Sequence, residues 1–394
     1  MQKPVYLDHH ATTPLDSRVL EAMLPYLTGH FGNPASRSHS FGWAAEKAVE
    51  RARARVAELA GASPREIVFT SGATESDNLA LKGAWEAHRA RGNHVVTVAT
   101  EHRAVLDPVR CLERIGAEVT VLPVHPDGLL DLDRLRRAIR PETVLVSVMW
   151  ANNETGVIQP VCEIGAMCRE NRVLFHTDAS QAFGKLPLRV AEAGIDLMSA
   201  TAHKIYGPKG AGVLYIRRGV AVAPQIEGGG HERGFRSGTL NVLAIVGLGE
   251  AAAICANEME GEAARTRVLR DRLLARIQAG LDGVRVNGSM ANRLPGNLNL
   301  GFAGVIADAL LTSLPDIALS TGSACSSASP ESSHVLRALG LSEGEARSSV
   351  RFGLGRTTTE EEVEYVADRV IDAVRALRRA RPAGSLAGSR RDGW

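Results

Sequence analysis

The chain of 394 residues is 44% hydrophobic and 23% charged, which suits a soluble enzyme with a large core and one smaller domain and argues against a single compact domain. Its 46 basic and 44 acidic residues leave a formal net charge of +2, too small to point to nucleic acid or an anionic membrane as the main partner. The start has no apolar signal region, no stretch reads as apolar for long enough to span a bilayer, and the cysteines (Cys111, Cys162, Cys168, Cys255, Cys325) are odd in number and scattered. Together these predict a reducing, cytoplasmic setting rather than a disulfide framework.

Helix and strand patterns alternate from about residue 43 to 250. A helix over 43–60 ends at Gly61, EIVFT (66–70) follows as a strand, and a second helix runs from Glu75 towards Gly92. The strand-like runs VVTVA (95–99), VTVL (119–122), VLVSVM (144–149), VLFH (173–176), DLMSAT (196–201) and GVLYI (212–216) come next, with a helix over 106–115 between the first two. Such short β-branched runs separated by helices predict an α/β fold with a mostly parallel sheet covered on both faces. A long helix over 250–281 connects to a second, α+β part with strands near 283–286 and 297–302 and a Ser-rich segment at 320–333. The last helix is expected to open on a capping box of Thr358 and Glu361, with Val363, Val366, Val370, Val374 and Leu377 on one face. The Arg-, Gly- and Ser-rich tail from Arg378 is expected to be mobile.

Three features carry chemistry. SGATES (71–76) lies between a strand and a helix, where free backbone N–H groups and the Thr74 hydroxyl can hold a phosphate. Asp178 follows a strand, at the edge where open α/β sheets bind ligands, and could keep a pyridinium nitrogen protonated. Lys204 follows another strand and could form a Schiff base at the same edge. Taken singly, these read equally as a capped turn, a surface aspartate and a solvated lysine. GGGHERG (228–234) and GPKGAG (207–212) lack the spacing of dinucleotide and Walker loops. The adjacent His9 and His10 do not share a face as metal-ligand pairs do, and no metal site is expected.

Seven motifs stand in order: SGATESDN (71–78), TEHRAVL (100–106), ANNETG (151–156), HTDASQ (176–181), HKIYGPKG (203–210), GGGHERGFRSGT (228–239) and GSACSSAS (322–329). In this order they resemble the cysteine desulfurases of the IscS/NifS type, in the class V aminotransferase family. The likeness runs from YLDHHATTP at Tyr6 to RFGLGRTTTEEE at 351–362. It implies a fold-type I large domain with a seven-stranded sheet over 16–258, and a small domain made of 1–15 and 259–380. The small domain would carry the catalytic Cys loop, about 320–334, and 381–394 would be a mobile tail.

The same resemblance implies pyridoxal 5'-phosphate held as a Schiff base on Lys204, with His102 stacked over the ring and moving protons. Asp178 would meet the pyridinium nitrogen, and Asn153 and Gln181 the phenolic oxygen side. Ala73, Thr74, Thr201 and His203 would hold the phosphate, with Thr239 of a second subunit completing the cradle in an obligate homodimer. Arg351, with Asn33 and Asn153, would bind the carboxylate of L-cysteine.

Cys325 selects the reaction. Small polar neighbours give it no hydrophobic periodicity, so it reads as an exposed loop thiol that takes sulfur as a persulfide while alanine leaves. The other four cysteines read as small core residues. The span 321–334 resembles the longer loop of the IscS/NifS group, implying delivery to an iron–sulfur scaffold or a tRNA-thiolation acceptor. A selenocysteine lyase or an aminotransferase is the neighbouring reading, and a non-catalytic platform the distant one. Two departures stand out: Thr201-Ala202 replaces the usual Ser-Gly, and an Arg-rich tail replaces the usual C-terminal segment, leaving either a solvated end or a docking strip for an acidic partner.

Overall fold

The computed structural model describes residues 4–321 and 332–380, so Cys325 and the tail 381–394 lie outside the described residues. Twelve strands occur among the described residues. They are β1 (Val5–Tyr6), β2 (Ile67–Thr70), β3 (His94–Val98), β4 (Glu118–Leu122), β5 (Thr143–Ser147), β6 (Leu174–Asp178), β7 (Leu197–Thr201), β8 (Gly212–Ile216), β9 (Val284–Val286), β10 (Asn297–Phe302), β11 (Ile317–Ala318) and β12 (Ser349–Gly353).

The central sheet has seven strands in the order β2-β8-β7-β6-β5-β3-β4. Its pairs are parallel except for the two that β8 makes, so β8 runs against the other six. Alternation within each run explains the double covering. Ile67 and Phe69 point to a core layer shared with the helices Ser40–Ala60 and Val242–Gly280, while Val68 points to the opposite layer with Leu79, Leu81 and Val105. The carboxyl ends of β2, β6 and β7 therefore open on one edge, at Thr70, Asp178 and Thr201. Gly212 opens β8 at that edge, where an added Cβ would stand 2.5 Å from the Gly72 backbone; only glycine lets the strand pass that close.

A separate apolar cluster gathers Leu7, Leu298, Leu300, Phe302, Val350, Phe352 and the inner face of the last helix. It covers the antiparallel sheet β12-β10-β9 and the short pair β1-β11. The helix Val242–Gly280 spans both cores, giving Ile245 and Leu248 to the large one and Leu269, Leu273 and Ile277 to the small one. It begins eight residues before its expected start, because a helix buried on most sides at its outset has no polar face to mark it. Contrary to the sequence reading, this helix is long and apolar enough to pass for a membrane span, but half of the qualifying stretch is buried within the protein.

The last helix, Glu360–Ala380, is capped one residue later than expected. Thr359 Oγ1 accepts from Glu362 N at 3.2 Å and Glu362 Oε2 from Thr359 N at 3.0 Å, while Thr358 Oγ1 accepts from Gly355 N. Three consecutive threonines before three glutamates left that register open to a one-residue slip. The helix also takes in Arg378 and Arg379, which the sequence assigned to the tail.

The GGGHERG loop is fastened to the helix Ser40–Ala60 by a buried ion pair, Arg53 Nη1 to Glu232 Oε2 and Nη2 to Glu232 Oε1, both 2.7 Å, and to β2 through Phe69 N, which donates to Glu232. Burial of two charges is tolerated here because each fork is matched. Glu232→Ala removes the buried partner of Arg53 and leaves it only the exposed Glu50 at Nε and the Ile67 carbonyl, and should cost about 3 kcal/mol in denaturant unfolding. An unchanged unfolding midpoint would contradict this.

Candidate active site

A cavity of about 540 Å³ opens at the strand edge where β2, β6 and β7 end. Its wall contains Ala73, Thr74, His102, Asn153, Asp178, Gln181, Thr201, His203, Lys204 and Arg351, so the structure brings together ten of the residues singled out from sequence. Asn33 and Thr239 stand apart from this cavity and are exposed. Cys325 is outside the described residues.

Lys204 sits on the 3₁₀ turn Ala202–Lys204 directly after β7. The N-terminal segment laces over this turn: Thr13 N donates to His203 O at 2.9 Å, and Tyr206 N donates to Thr13 Oγ1 at 2.7 Å. Lys204 Nζ donates to the carbonyls of His10 and Ala11 at 2.5 and 2.6 Å, which holds the amine against the cavity wall. The methyl of Ala202 belongs to the large core and meets Gly207 rather than the cavity, so this departure from the usual glycine is absorbed on the far side of the chain.

Asp178 closes β6, and its Oδ1 accepts from Ser180 N at 2.8 Å. The helix Ala73–His88 begins at the cavity with Gly72 as its N-cap and no side-chain cap, leaving its first N–H groups for a ligand. His102 caps the helix Arg103–Arg114; its Nδ1 accepts from Ala104 N at 3.1 Å, so the neutral ring carries its proton on Nε2. His203 holds Thr12 Oγ1 at 3.1 Å, and burial with Lys204 nearby pulls its pKa down to about 4.

Arg351 lies on β12 and is almost fully buried. Nη1 donates to Asn153 O at 2.9 Å, Nη2 to Asp8 Oδ1 at 2.8 Å, and Nε has no partner among the described residues. Such a buried guanidinium keeps donor capacity for a carboxylate. Asn153 Oδ1, Ser180 Oγ and His10 Nε2 are further buried polar atoms around the same cavity without partners among the described residues. A polar, aromatic-sized cavity with a carboxylate at a strand end, an uncapped helix terminus and a lysine fits pyridoxal phosphate.

Sequence reasoning passed over several groups that lie inside or beside its own motifs. His10, weighed in the sequence only as a metal ligand, lines the cavity; its Nδ1 donates to Gln181 Oε1 at 2.8 Å, and Gln181 Nε2 donates to the His10 carbonyl at 2.9 Å. Lys185 donates to the same Gln181 oxygen at 3.1 Å, and burial with Lys204 nearby lowers its pKa to about 7. Asp77 and Glu101 are wholly buried and pushed well above the usual carboxyl range, first by desolvation and then by the charge of Asp178. His176, 3.4 Å from Asp77, is pulled down to about 3 by burial. Glu75 and Asp77 line the cavity together with Asp178.

Of the cysteines read as core residues, Cys168 and Cys255 are buried, Cys111 is half-buried and Cys162 is exposed. The helix Val161–Glu170 turns Val161, Ile164, Met167 and Cys168 inward, which leaves Cys162 on the solvent side.

Residues 5–366 match the family described as Aminotransferase class-V. A curated relative named cysteine desulfurase IscS, from Anaeromyxobacter sp. (strain Fw109-5), is 59% identical over 384 residues, covering 97% of this chain and 95% of the relative. A solved NifS-like protein superposes with a TM-score of 0.89 at 37% identity, over 95% of this chain and 100% of its own. A structure titled SspA in complex with cysteine gives a TM-score of 0.80 at 38% identity, over 90% of this chain and 100% of its own. The chain belongs to the class V aminotransferase family and, within it, to the pyridoxal-phosphate-dependent cysteine desulfurases of the IscS/NifS type.

Proposed function

We propose that this enzyme converts L-cysteine to L-alanine and carries the released sulfur on Cys325 as a persulfide. The convergence of Lys204, Asp178, His102 and Arg351 on one cavity supports the reading more than any other observation. Pyridoxal phosphate, when bound, supplies an electron sink for the pair released at Cα of the amino acid. Lys204 would hold the cofactor and then move the proton from Cα, and Asp178 would keep the ring nitrogen protonated. Arg351 would fix the substrate carboxylate, with Asn33 and Asn153 as further contacts. His102, with its proton on Nε2, would exchange protons with the thiols. The Cys325 thiolate would attack the substrate sulfur; an S–S bond forms as the Cβ–S bond breaks, and Cβ keeps that electron pair and takes a proton to become the methyl of alanine.

Ala73, Thr74, Thr201 and His203 would hold the phosphate, with Gln181 beside the phenolic oxygen. Thr239 stands outside its own chain's cavity, which fits its completing the phosphate site of a second copy. Phe31 and Phe41 support that homodimer: they stack at 5.2 Å, yet remain 70% and 52% exposed. The two apolar cores support a large domain over 16–258 and a small domain of 1–15 and 259–380. The scattered free thiols fit the cytoplasm, and the acceptor would be an iron–sulfur scaffold or a tRNA-thiolation protein.

Arg351→Lys tests the substrate assignment. Losing the planar fork should raise KM for cysteine about tenfold or more, with a smaller change in kcat. An unchanged KM would remove Arg351 from the carboxylate site.

A further inference from the structure

The chain enters the Cys325 segment at 320–321 and leaves it at 332–333; the upstream root is tied to Arg351 of the cavity wall, and the downstream root to Glu154 and Glu101, the sequence neighbours of the lining residues Asn153 and His102. Upstream, Arg351 N donates to Ser320 O at 2.7 Å and Arg351 Nη2 to Ser320 Oγ at 3.2 Å. Downstream, Ser333 Oγ donates to Glu154 Oε2 at 2.5 Å and accepts from Leu336 N, while His334 Nε2 donates to the Glu101 carbonyl at 2.9 Å. Glu154 is itself locked in place. Its N–H donates to Asn152 Oδ1 at 2.9 Å, and its carbonyl accepts from Asn297 and Asn299 Nδ2 at 3.3 and 3.2 Å. A carboxyl buried this deeply is costly unless it is hydrogen-bonded, and a bond of this one goes to the root of the sulfur-carrying segment.

We propose that Glu154 is a positioning residue for sulfur transfer: through Ser333 it fixes the downstream root of the Cys325 segment against the wall formed by Asn153 and His102. Cys325 lies five residues after Ser320 and eight before Ser333. Extended chain spans at most about 3.5 Å per residue, so the two roots confine the thiol to within roughly 18 Å of one and roughly 28 Å of the other. Loosening the downstream root dilutes the thiol around the substrate sulfur, and Ser333→Ala does so without removing the Glu154 carboxyl, whose charge also acts on Arg351 and His102.

The inference rests on Cys325 as the sulfur acceptor, and the test separates the two. Holoenzymes of Glu154→Ala, Glu154→Gln, Ser333→Ala and the Glu154→Ala/Ser333→Ala double variant are compared by three readouts. These are the cofactor's visible absorbance, its change on adding L-cysteine, and the single-turnover rate at which Cys325 gains sulfur by mass spectrometry. Glu154→Ala and Ser333→Ala should keep the first two within about twofold and slow the third about tenfold or more. Glu154→Gln should recover most of the rate, because its amide oxygen can still accept from Ser333. The double variant should be no slower than the slower single one. If Glu154→Ala fails to hold cofactor, Ser333→Ala decides alone. Sulfur gain at the parent rate in Ser333→Ala, or additive losses in the double variant, overturns the proposal. Cys325→Ser run alongside tells the failures apart: sulfur transfer that survives it sinks the acceptor reading, whereas a block there with an unaffected Ser333→Ala sinks only the role of Glu154.

Discussion

Lys204→Ala should lose the visible absorbance of the lysine-bound cofactor, and alanine formation from cysteine should fall about 10³-fold or more. Covalent attachment and proton transfer at Cα are assigned to the same amine, so no other group can replace both. Folding should survive. The amine's partners are the carbonyls of His10 and Ala11, and the lacing of residues 13 and 16 over the Lys204 turn uses backbone groups and the Thr13 hydroxyl. The variant should therefore unfold within a few degrees of the parent while failing to turn over cysteine. Turnover at a tenth of the parent rate or better would mean that another lysine holds the cofactor. Lys185 is the candidate, because it bonds to Gln181 beside the same cavity and its lowered pKa makes it a competent nucleophile near neutral pH.

Cys325→Ser should give the opposite pattern. The cofactor absorbance and its response to cysteine should persist, because none of the groups assigned to binding changes. Sulfur release should drop to background, since a serine hydroxyl at neutral pH offers neither the nucleophilicity of a thiolate nor a stable bond to sulfur. Taken together, the two variants divide the reaction between the cavity and the thiol. A Cys325→Ser enzyme that still formed sulfide at the parent rate would place the sulfur-accepting group elsewhere. Cys162 is the exposed alternative among the described thiols.

Much of this architecture was legible in the residues. The strands of the central sheet fall on β-branched runs bounded by polar turns, and the helices between them follow the 3.6-residue period. Thr74, Asp178 and Lys204 were legible because each stands at the end of a strand or the start of a helix, where an α/β sheet presents its ligand-binding edge, whereas His102, Asn153, Gln181 and Arg351 were expected only from the family resemblance. What the sequence hid is burial. Nothing in the sequence marks Asp77, Glu101, Glu154 and Lys185 as buried, and only packing shows them desolvated, the first two beside Asp178, Lys185 against Gln181 and Glu154 near Arg351 and His102. His10, weighed in the sequence only as a metal ligand, was passed over for a related reason: its place in the wall depends on the fold of the N-terminal segment over Lys204. The capping register at Thr359 and the inward and outward faces of the helix bearing Cys162 and Cys168 likewise turn on a single residue's displacement.

The direct test is a single-turnover incubation of the purified holoenzyme with L-cysteine, followed by mass spectrometry of the peptide containing Cys325 and quantification of alanine. The account predicts one added sulfur on Cys325 for each alanine formed. Alanine without sulfur on Cys325, or sulfur carried on a different cysteine, would contradict it.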